Sequence, residues 1–590
     1  MSHSINEKVQ IDKALKLHEE GNITLAEEIY QRILESNPNN ALVLSLVGTV
    51  LIQKNKPKKA IDYFTKSLSL DSNQPLAFGN FAVAEYQLKR YESSLNHFNA
   101  AIQLQPNYAE AFNNRGKTLL KLGKNALAIE SYNQAIKINP TLLDAYINRG
   151  DLYRDQDKMQ EAINEYEKVL KINPNYADAL TKAGELFLEY SIFDKAISNF
   201  EKLLALNPKN KSALFCCAIS HQKNNHLEKA KQLYDQLINE DSENLDALNN
   251  RAFVLQSTGN YNEALNEYKK ILQRNKYHAF ALLNIGIIKL TLGNLEEGWK
   301  LYEFRWVSEL SKLQKKLNKP LWLGNESLRG KTILIHLEQG FGDAIQFCRY
   351  FKMLEALEVK IIVELPLLLI PLISFMQCNL QIIEKGKKLP SFDYHCPIMS
   401  LPLAFKTTLE TIPALTPYLY VNNEKRIDWK HKLKTFKRKK IGVAFSGSAT
   451  HNNDVNRSIP LYQFKSILDL PFDFFVLQKD IREEDKKTLA LFPNLYHYRK
   501  ELDDFSDTAA LIEAMDLVIS VDTSAAHLAG ALRKEIWVLI PQNPDFRWML
   551  DRTDSPWYPE MKLFRQKKTG EWHFVIESII KSLKDTFNYY

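Results

Sequence analysis

The spacing of small and apolar residues divides the chain into two halves with different periodicities. In the first half, small residues recur every 34 positions in two series, one from Ala26 to Gly298 and the other from Ala14 to Gly286. Small side chains at both positions let two antiparallel helices pack closely as a hairpin. Proline ends a helix because it lacks the N–H donor, and it recurs in one register at Pro38, Pro106, Pro140, Pro174 and Pro208. The pattern predicts nine helical hairpins over residues 8–305.

The second half changes to short apolar runs that alternate with helical patterns, beginning at Lys331. Strands are predicted at Thr332–Leu337, Lys360–Glu364, Gln381–Glu384, Asp393–Pro397, Ile441–Phe445, Phe474–Gln478, Leu495–His497, Leu517–Val521 and Ile536–Ile540. Strands that alternate with helices form parallel sheets. A proline-rich passage and a charged run between residues 412 and 440 separate two such units. We therefore expect two Rossmann-like domains with a cleft between them.

Together these patterns predict four segments along the chain. We expect an α-helical array at residues 1–305, an aromatic-rich linker or docking segment at 306–329, and α/β domains at 330–425 and 436–590. An uncapped helical array would expose its last hydrophobic face. Trp299, Trp306 and Trp322 are therefore expected to seal the array against the second half.

Composition narrows the class of protein. The chain has 590 residues, of which 45% are hydrophobic and 25% charged, as expected of a globular protein with several domains. A net charge of +7 is too dilute over this length to indicate nucleic-acid binding. The five cysteines form no CxxC pair, which favours a reduced compartment. No apolar signal-peptide core or uninterrupted membrane span is apparent, so we expect a cytoplasmic protein.

The first half resembles the tetratricopeptide repeat (TPR), which has this period and pattern. Such repeats stack into a superhelix with a concave binding face. The position that faces this groove in the family is occupied by Asn80, Asn114, Asn148, Asn250 and Asn284. Because an amide both donates and accepts hydrogen bonds, the series predicts a ladder for the backbone of an extended peptide. The alternative is that asparagine is simply common at this position of the repeat.

The stretch from Asp516 to Leu532 predicts a buried strand that leads directly into a helix. Free N–H groups at such a junction bind anions in open α/β sheets. Thr523 and Ser524 add hydroxyl donors, and His527 follows on the first or second helical turn. These residues indicate a phosphate site, and the alternative is an ordinary strand–helix unit with Thr523 as the N-cap.

Six short motifs of the second half occur in the order found in one enzyme family. They are Leu337–Phe347 (LEQGFGDAIQF), Phe445–Gly447 (FSG), Asn456–Pro460 (NRSIP), Leu477–Lys479 (LQK), Val521–Leu532 (VDTSAAHLAGAL) and Asp554–Pro559 (DSPWYP). They resemble glycosyltransferase family 9, the heptosyltransferase-like enzymes with the GT-B fold. The whole chain resembles bacterial proteins that join a TPR array to such a module, with an acceptor-side domain first and a donor-binding domain second.

The resemblance implies roles for individual residues. Asp343 corresponds to the proposed catalytic base, and Gly340 and Gly342 would let the backbone approach a ligand closely. Helix N-capping is the alternative role for Asp343. The implied donor-binding residues are Ser446, Gly447, Arg457, Lys479, Asp522, Thr523, Ser524 and His527. Arg457 stands where the heptosyltransferases commonly carry lysine, which leaves the donor undetermined. No metal site or cofactor is expected.

These observations favour a glycosyltransferase, most simply an inverting one, that uses a nucleotide-activated sugar. The array would recruit a protein or peptide acceptor or partner. One alternative is a non-catalytic TPR scaffold that retains the transferase fold. Another is an enzyme that acts on a glycan or lipopolysaccharide while the array binds a partner enzyme.

Overall fold

The computed structural model describes residues 2–307, 314, 317–449, 451 and 453–588, with side chains from residue 7 onward. The chain divides into two compact units, Met1–Ser242 and Glu243–Tyr590. The boundary falls within the helical array, so its last two hairpins belong to the same unit as the α/β region. Of the expected linker at 306–329, residues 308–313, 315 and 316 lie outside the described part of the chain.

The first unit is built from seven pairs of helices over its described residues. Their bounds are α1 (Ser2–Glu19), α2 (Ile23–Ser36), α3 (Ala41–Gln53), α4 (Pro57–Leu70), α5 (Pro75–Gln87), α6 (Tyr91–Leu104), α7 (Ala109–Lys121), α8 (Asn125–Ile138), α9 (Leu143–Asp155), α10 (Met159–Ile172), α11 (Ala177–Glu189), α12 (Phe193–Leu206), α13 (Lys211–Lys223) and α14 (Leu227–Glu240). A β-carbon on Gly48 would lie 2.7 Å from the Phe64 ring, so only a small residue fits between α3 and α4. Helices α6 and α8 both end two residues before a proline, as predicted.

The second unit begins with two more hairpins. Their helices are α15 (Leu245–Ser257), α16 (Tyr261–Arg274), α17 (Ala279–Thr291) and α18 (Leu295–Tyr302), followed by a 3-10 turn at Glu303–Val307. The predicted helical repeat is thus confirmed through residue 307.

The first sheet follows the array and has four parallel strands. The elements are β1 (Thr332–His336), α19 (Phe341–Phe347), α20 (Phe351–Glu355), β2 (Lys360–Leu365), α21 (Ile370–Ile373), β3 (Leu380–Glu384), β4 (Tyr394–Pro397) and α22 (Leu401–Ala404). The strand order is β3-β2-β1-β4. The order reverses between β1 and β4.

The second sheet has six parallel strands. The elements are α23 (Asn423–Lys432), β5 (Lys440–Ala444), α24 (Asp454–Arg457), α25 (Lys465–Leu468), β6 (Asp473–Val476), α26 (Glu483–Leu489), β7 (Leu495–Tyr496), α27 (Phe505–Glu513), β8 (Leu517–Val521), α28 (Ser524–Ala531), β9 (Ile536–Ile540), β10 (Met561–Arg565) and α29 (His573–Phe587). The order β10-β9-β8-β5-β6-β7 is that of the doubly wound Rossmann fold. All nine predicted strands are present, and β10 was not predicted.

Each sheet therefore has one point where the strand order reverses, between β1 and β4 and between β5 and β8. Ligands of open α/β sheets bind in the crevice outside the carboxyl ends of the strands at this point. The two reversal points thus locate where a ligand of each sheet is expected.

The last hairpin packs directly on the α/β region. The buried Trp299 ring lies 6.2 Å from Phe347 of α19 and 5.6 Å from Phe546, measured between ring centroids. Trp322 is also buried and packs edge-on against Phe405. Burying each large apolar side chain contributes about 1.5–3 kcal/mol. The end of the array and the sheets therefore share one hydrophobic core.

Candidate functional site

The turn between β1 and α19 sets the position of Asp343. Gly340 precedes the helix in an extended conformation, and its N–H donates to Asp343 Oδ2 at 2.8 Å. One carboxylate oxygen of Asp343 thus caps the start of the helix, which is the alternative to catalysis that the sequence offered for this residue. The other oxygen, Oδ1, remains for a second partner.

Gly342 brings this turn against α28 of the second sheet. A β-carbon on Gly342 would lie 3.0 Å from Cδ2 of His527 and 3.7 Å from its Nε2. The His527 ring is buried, stacks on Trp548 with centroids 5.2 Å apart, and places Nδ1 3.0 Å from the Tyr558 hydroxyl. Burial, and then Arg547, hold the pKa of His527 well below its usual range. The imidazole is therefore neutral, and Nε2 is the nitrogen on the Gly342 side.

Arg547, in a 3-10 turn after β9, is the partner of Asp343. Its Nη2 donates to Asp343 Oδ1, its Nη1 to Asp545 at 2.8 Å, and its Nε to Gln346 at 2.8 Å. Burial works to lower the pKa of Arg547, but Asp545 and Asp343 outweigh it and the pKa is raised. Burial likewise raises the pKa of Asp343, and Arg547 opposes that shift. The ion pair between Arg547 and Asp343 thus joins the two sheets, and sequence reasoning did not find Arg547.

The carboxyl end of β5 forms the second part of the site. The guanidinium of Arg457 lies over Gly447, where a β-carbon would come within 2.7 Å of Nη2. Arg457 Nη1 donates to the backbone oxygen of Asp522 at 3.0 Å, which ties the end of β5 to the end of β8. The hydroxyl of Ser446 accepts from the side-chain amide of Gln478 at 2.7 Å. Four predicted donor-binding residues therefore meet where the strand order reverses.

The end of β8 contributes the remaining predicted residues. Thr523 is the N-cap of α28, Ser524 is its first residue, and the Thr523 hydroxyl lies 3.2 Å from that of Ser520. Burial, and then Asp545, raise the pKa of Asp522 to about 6. This edge therefore combines the helix N-terminus with a carboxyl group whose pKa is raised above its usual range.

Lys479 lies apart from these contacts. Its side chain is 49% exposed, and its Nζ is 3.9 Å from the exposed carboxylate of Asp503. Arg482, which was not predicted, pairs with Asp454 and donates to Ser458 at 3.1 Å and to the Gly447 backbone oxygen at 3.4 Å. Arg482 is therefore a second cation at the Gly447 loop, beside Arg457.

The last two hairpins also reach the site. The Tyr302 hydroxyl accepts from the Gln339 side chain at 2.8 Å, and the Tyr261 hydroxyl donates to Asn543 in the loop before Arg547. Arg305 donates to the buried Glu338 at 3.0 Å. Burial raises the pKa of Glu338 to about 7, against the opposing effect of Arg305. The last two hairpins and the turn after them thus contact both the turn that carries Asp343 and the loop that carries Arg547.

The asparagine series has varied surroundings. The amide of Asn80 donates to Thr49 at 2.9 Å, and that of Asn148 donates to Asn113 at 2.9 Å. Asn114 is half-buried, and Asn250 accepts from Asn249 at 3.4 Å. Asn284 is only 8% exposed. Asn80, Asn114 and Asn148 occupy equivalent positions on α5, α7 and α9 of the first unit.

Among the described residues, no group of three or more His, Cys, Asp or Glu side chains is arranged to hold a metal ion. No helix among the described residues is both long enough and apolar enough to cross a membrane.

Comparison with known proteins identifies the repeats. TPR family models match residues 11–75, 82–123, 116–157, 150–189 and 244–276. The chain is 26% identical to the protein FlbA of Caulobacter vibrioides over 317 residues, which is 49% of this chain and 52% of FlbA. It is 44% identical over 54 residues to the type IV pilus assembly protein PilF of Pseudomonas aeruginosa, covering 8% of this chain and 21% of PilF.

Two solved structures are similar to part of the chain. The C-terminal part of a TPR protein from Cytophaga hutchinsonii matches 40% of this chain and 97% of its own, with 23% identity and a TM-score of 0.37. The crystal structure of MamA matches 28% of this chain and 96% of its own, with 26% identity and a TM-score of 0.26. The chain spans about half of FlbA and a fifth of PilF. Its N-terminal half is a tetratricopeptide-repeat array, followed by an α/β region with two parallel sheets.

Proposed function

We propose that the α/β region is a glycosyltransferase that uses a nucleoside-diphosphate sugar, and that the TPR array recruits its protein acceptor. The observation that carries the proposal is the contact between Gly342 and His527. It sets the turn after β1 against the helix after β8, so the ligand-binding edges of two Rossmann-like sheets adjoin. A donor bound at one edge would lie next to a carboxylate at the other.

In the proposed reaction, the Asp343 carboxylate accepts the proton of the acceptor hydroxyl. The acceptor oxygen then forms a bond to the anomeric carbon of the sugar. The bond from that carbon to the diphosphate oxygen breaks, and the electron pair leaves with the nucleoside diphosphate. Attack opposite the leaving group inverts the anomeric configuration. A general base of this kind contributes about 10²–10⁴-fold to the rate.

The leaving diphosphate needs donors and positive charge. Arg457, the N–H groups at the start of α28 and the backbone around Gly447 supply them at the β5–β8 crevice. His527 is neutral, so its contribution would be a hydrogen bond from the imidazole rather than a positive charge. Arg457 rather than Lys479 is therefore the main cation of the proposed donor site.

A screen of nucleoside-diphosphate sugars tests the proposal. We expect at least one donor to raise the melting temperature of the full chain and to be slowly hydrolysed to the nucleoside diphosphate. Absence of both effects across donors with each common base would contradict the proposal.

The proposed recruitment of a protein acceptor by the array is tested separately. Replacing Asn80, Asn114 and Asn148 together by Ala should weaken transfer to a protein acceptor but leave donor hydrolysis unchanged. Each amide contributes only about 0.5–1.5 kcal/mol, so three changes are needed for a clear effect. Asn73→Ala, in the exposed loop between α4 and α5, is the control. An unchanged ratio of transfer to hydrolysis would contradict the peptide ladder.

A non-catalytic scaffold is the second candidate. It is favoured by the pairing of both Asp343 oxygens, one with the Gly340 N–H and one with Arg547. A scaffold would bind protein partners through the array without hydrolysing any donor in the screen.

A further inference from the structure

Arg547 is held between two carboxylates. Its guanidinium bonds to Asp343 on the first-sheet side and to Asp545 on the second, and only 6% of the residue is exposed. Gln346 accepts from the remaining nitrogen, Nε, at 2.8 Å. Every nitrogen of this guanidinium is therefore used within the protein.

These contacts leave Asp343, the base of the proposed reaction, with both of its oxygens paired. One oxygen of Asp343 accepts from the Gly340 N–H and the other from Arg547. An acceptor hydroxyl that approaches Asp343 would have to compete with a charge-assisted hydrogen bond, the stronger class of protein hydrogen bond. In this state, Asp343 is a poor proton acceptor.

The aromatic residues on either side of Arg547 are held by packing against the last hairpin and against α28. Phe546 packs against Trp299 and Tyr302 with centroids 5.6 Å away in each case, and Trp548 stacks on His527. The charge of Arg547 also acts on His527 and Asp522 at the β5–β8 crevice. A guanidinium fork pairs with phosphate as readily as with carboxylate.

We propose that the donor diphosphate competes with Asp343 for the guanidinium of Arg547, so that donor binding frees the carboxylate to accept the acceptor's proton. The consequence is a compulsory order in which the donor binds before the acceptor reacts. The inference rests on the proposed function, since it requires a diphosphate in the crevice and Asp343 as the base.

Calorimetric titration of the full chain with inorganic pyrophosphate tests this competition. Asp343→Asn keeps the shape of the side chain but removes the charge that holds Arg547. It should tighten pyrophosphate binding by about ten-fold, as expected when one competing charge-assisted hydrogen bond is weakened. Asp480→Asn removes the same charge from an exposed carboxylate paired with Arg499, and it should leave the affinity unchanged.

A double-mutant cycle separates competition for Arg547 from simple removal of negative charge. Arg547→Gln should weaken pyrophosphate binding, and adding Asp343→Asn to it should no longer improve affinity. If Arg547→Gln fails to fold, Arg547→Met replaces it, because methionine also lacks the charge for which Asp343 and pyrophosphate compete.

The outcomes are distinct. Tighter binding by Asp343→Asn only when Arg547 is present supports the competition. If Asp343→Asn binds pyrophosphate no more tightly than the wild type, the competition is overturned but the donor site stands. The same conclusion follows if Asp343→Asn still tightens pyrophosphate binding in the variant that lacks Arg547. Absence of pyrophosphate binding in every variant contradicts the diphosphate site itself, and the proposed function with it.

Discussion

Gly342 and His527 lie on different sheets, yet a β-carbon on Gly342 would be only 3.0 Å from Cδ2 of His527. The histidine cannot easily retreat, because Tyr558 and Trp548 hold its ring from other sides. The glycine is therefore required by the close approach of the two halves of the α/β region. Its backbone conformation is ordinary for a helix start.

Gly342→Ala should push α19 away from α28. We expect a loss of about 1–3 kcal/mol in the free energy of unfolding, as for other overpacked contacts, and weaker binding of a nucleoside diphosphate. Urea denaturation and calorimetry measure the two effects. Wild-type values for both would mean that the halves are not held at this distance in solution.

The two candidate cations of the donor site should differ in effect. Arg457→Ala removes a guanidinium that is only 12% exposed and should cost about 1.5–3 kcal/mol of diphosphate binding. Lys479→Ala should cost less than about 1 kcal/mol, because the lysine is half exposed and screened by solvent. Calorimetric titration of both variants with the diphosphate shows which loss of affinity is larger, and Lys562→Ala, at an exposed lysine, is the control. A larger effect at Lys479 would contradict the assignment of Arg457.

Glu338 should make stability depend on pH. Burial raises its pKa to about 7 in the folded protein, against about 4.3 in an unfolded chain. Between these values the folded state keeps a proton that the unfolded state releases, so stability falls as pH rises from about 4.3 to 7. The free energy of unfolding of the wild type should therefore fall by on the order of 3 kcal/mol across this pH range, and Glu338→Gln should remove that change.

Urea denaturation at pH 5 and pH 8 measures the change, with exposed Glu296→Gln as the charge control. If Glu338→Gln and the wild type show the same difference between the two pH values, Arg305 holds Glu338 ionised throughout.

A fragment of residues 243–590 should fold, whereas one of residues 330–590 should not remain soluble. The shorter fragment lacks Trp299 and Tyr302 and exposes the aromatic rings of Phe347 and Phe546 that they cover. A large exposed apolar patch favours aggregation. Gel filtration and thermal melting of both fragments test this. A stable monomer of residues 330–590 would contradict an integral role for the last two hairpins.

The sequence predicted what local periodicity can specify. The repeat register located the hairpins, and the apolar run before Asp522 located β8 and the start of α28. Strand β10, Met561–Arg565, was missed because its run is short and includes two cationic residues. The grouping of hairpins α15–α18 with the sheets leaves no trace in the sequence, since the repeat continues there without any change of period.

Arg547 shows why part of the site could not be predicted. It lies 204 positions from Asp343 in a loop without periodicity, and only the folded chain brings the two together. The motifs around Ser446, Arg457 and Asp522 were found because each follows a recognisable strand. Their convergence on one crevice depends on the strand order of the sheet, which is a tertiary property.

The most direct test of the account is the turnover of Asp343→Asn with a donor found in the nucleotide-sugar screen. Asparagine keeps the oxygen that accepts from Gly340 but is not a base. The account predicts that the variant binds the donor at least as tightly as the wild type, with transfer to the acceptor reduced by at least about 10²-fold. Transfer at the wild-type rate would contradict the assignment of Asp343 as the base.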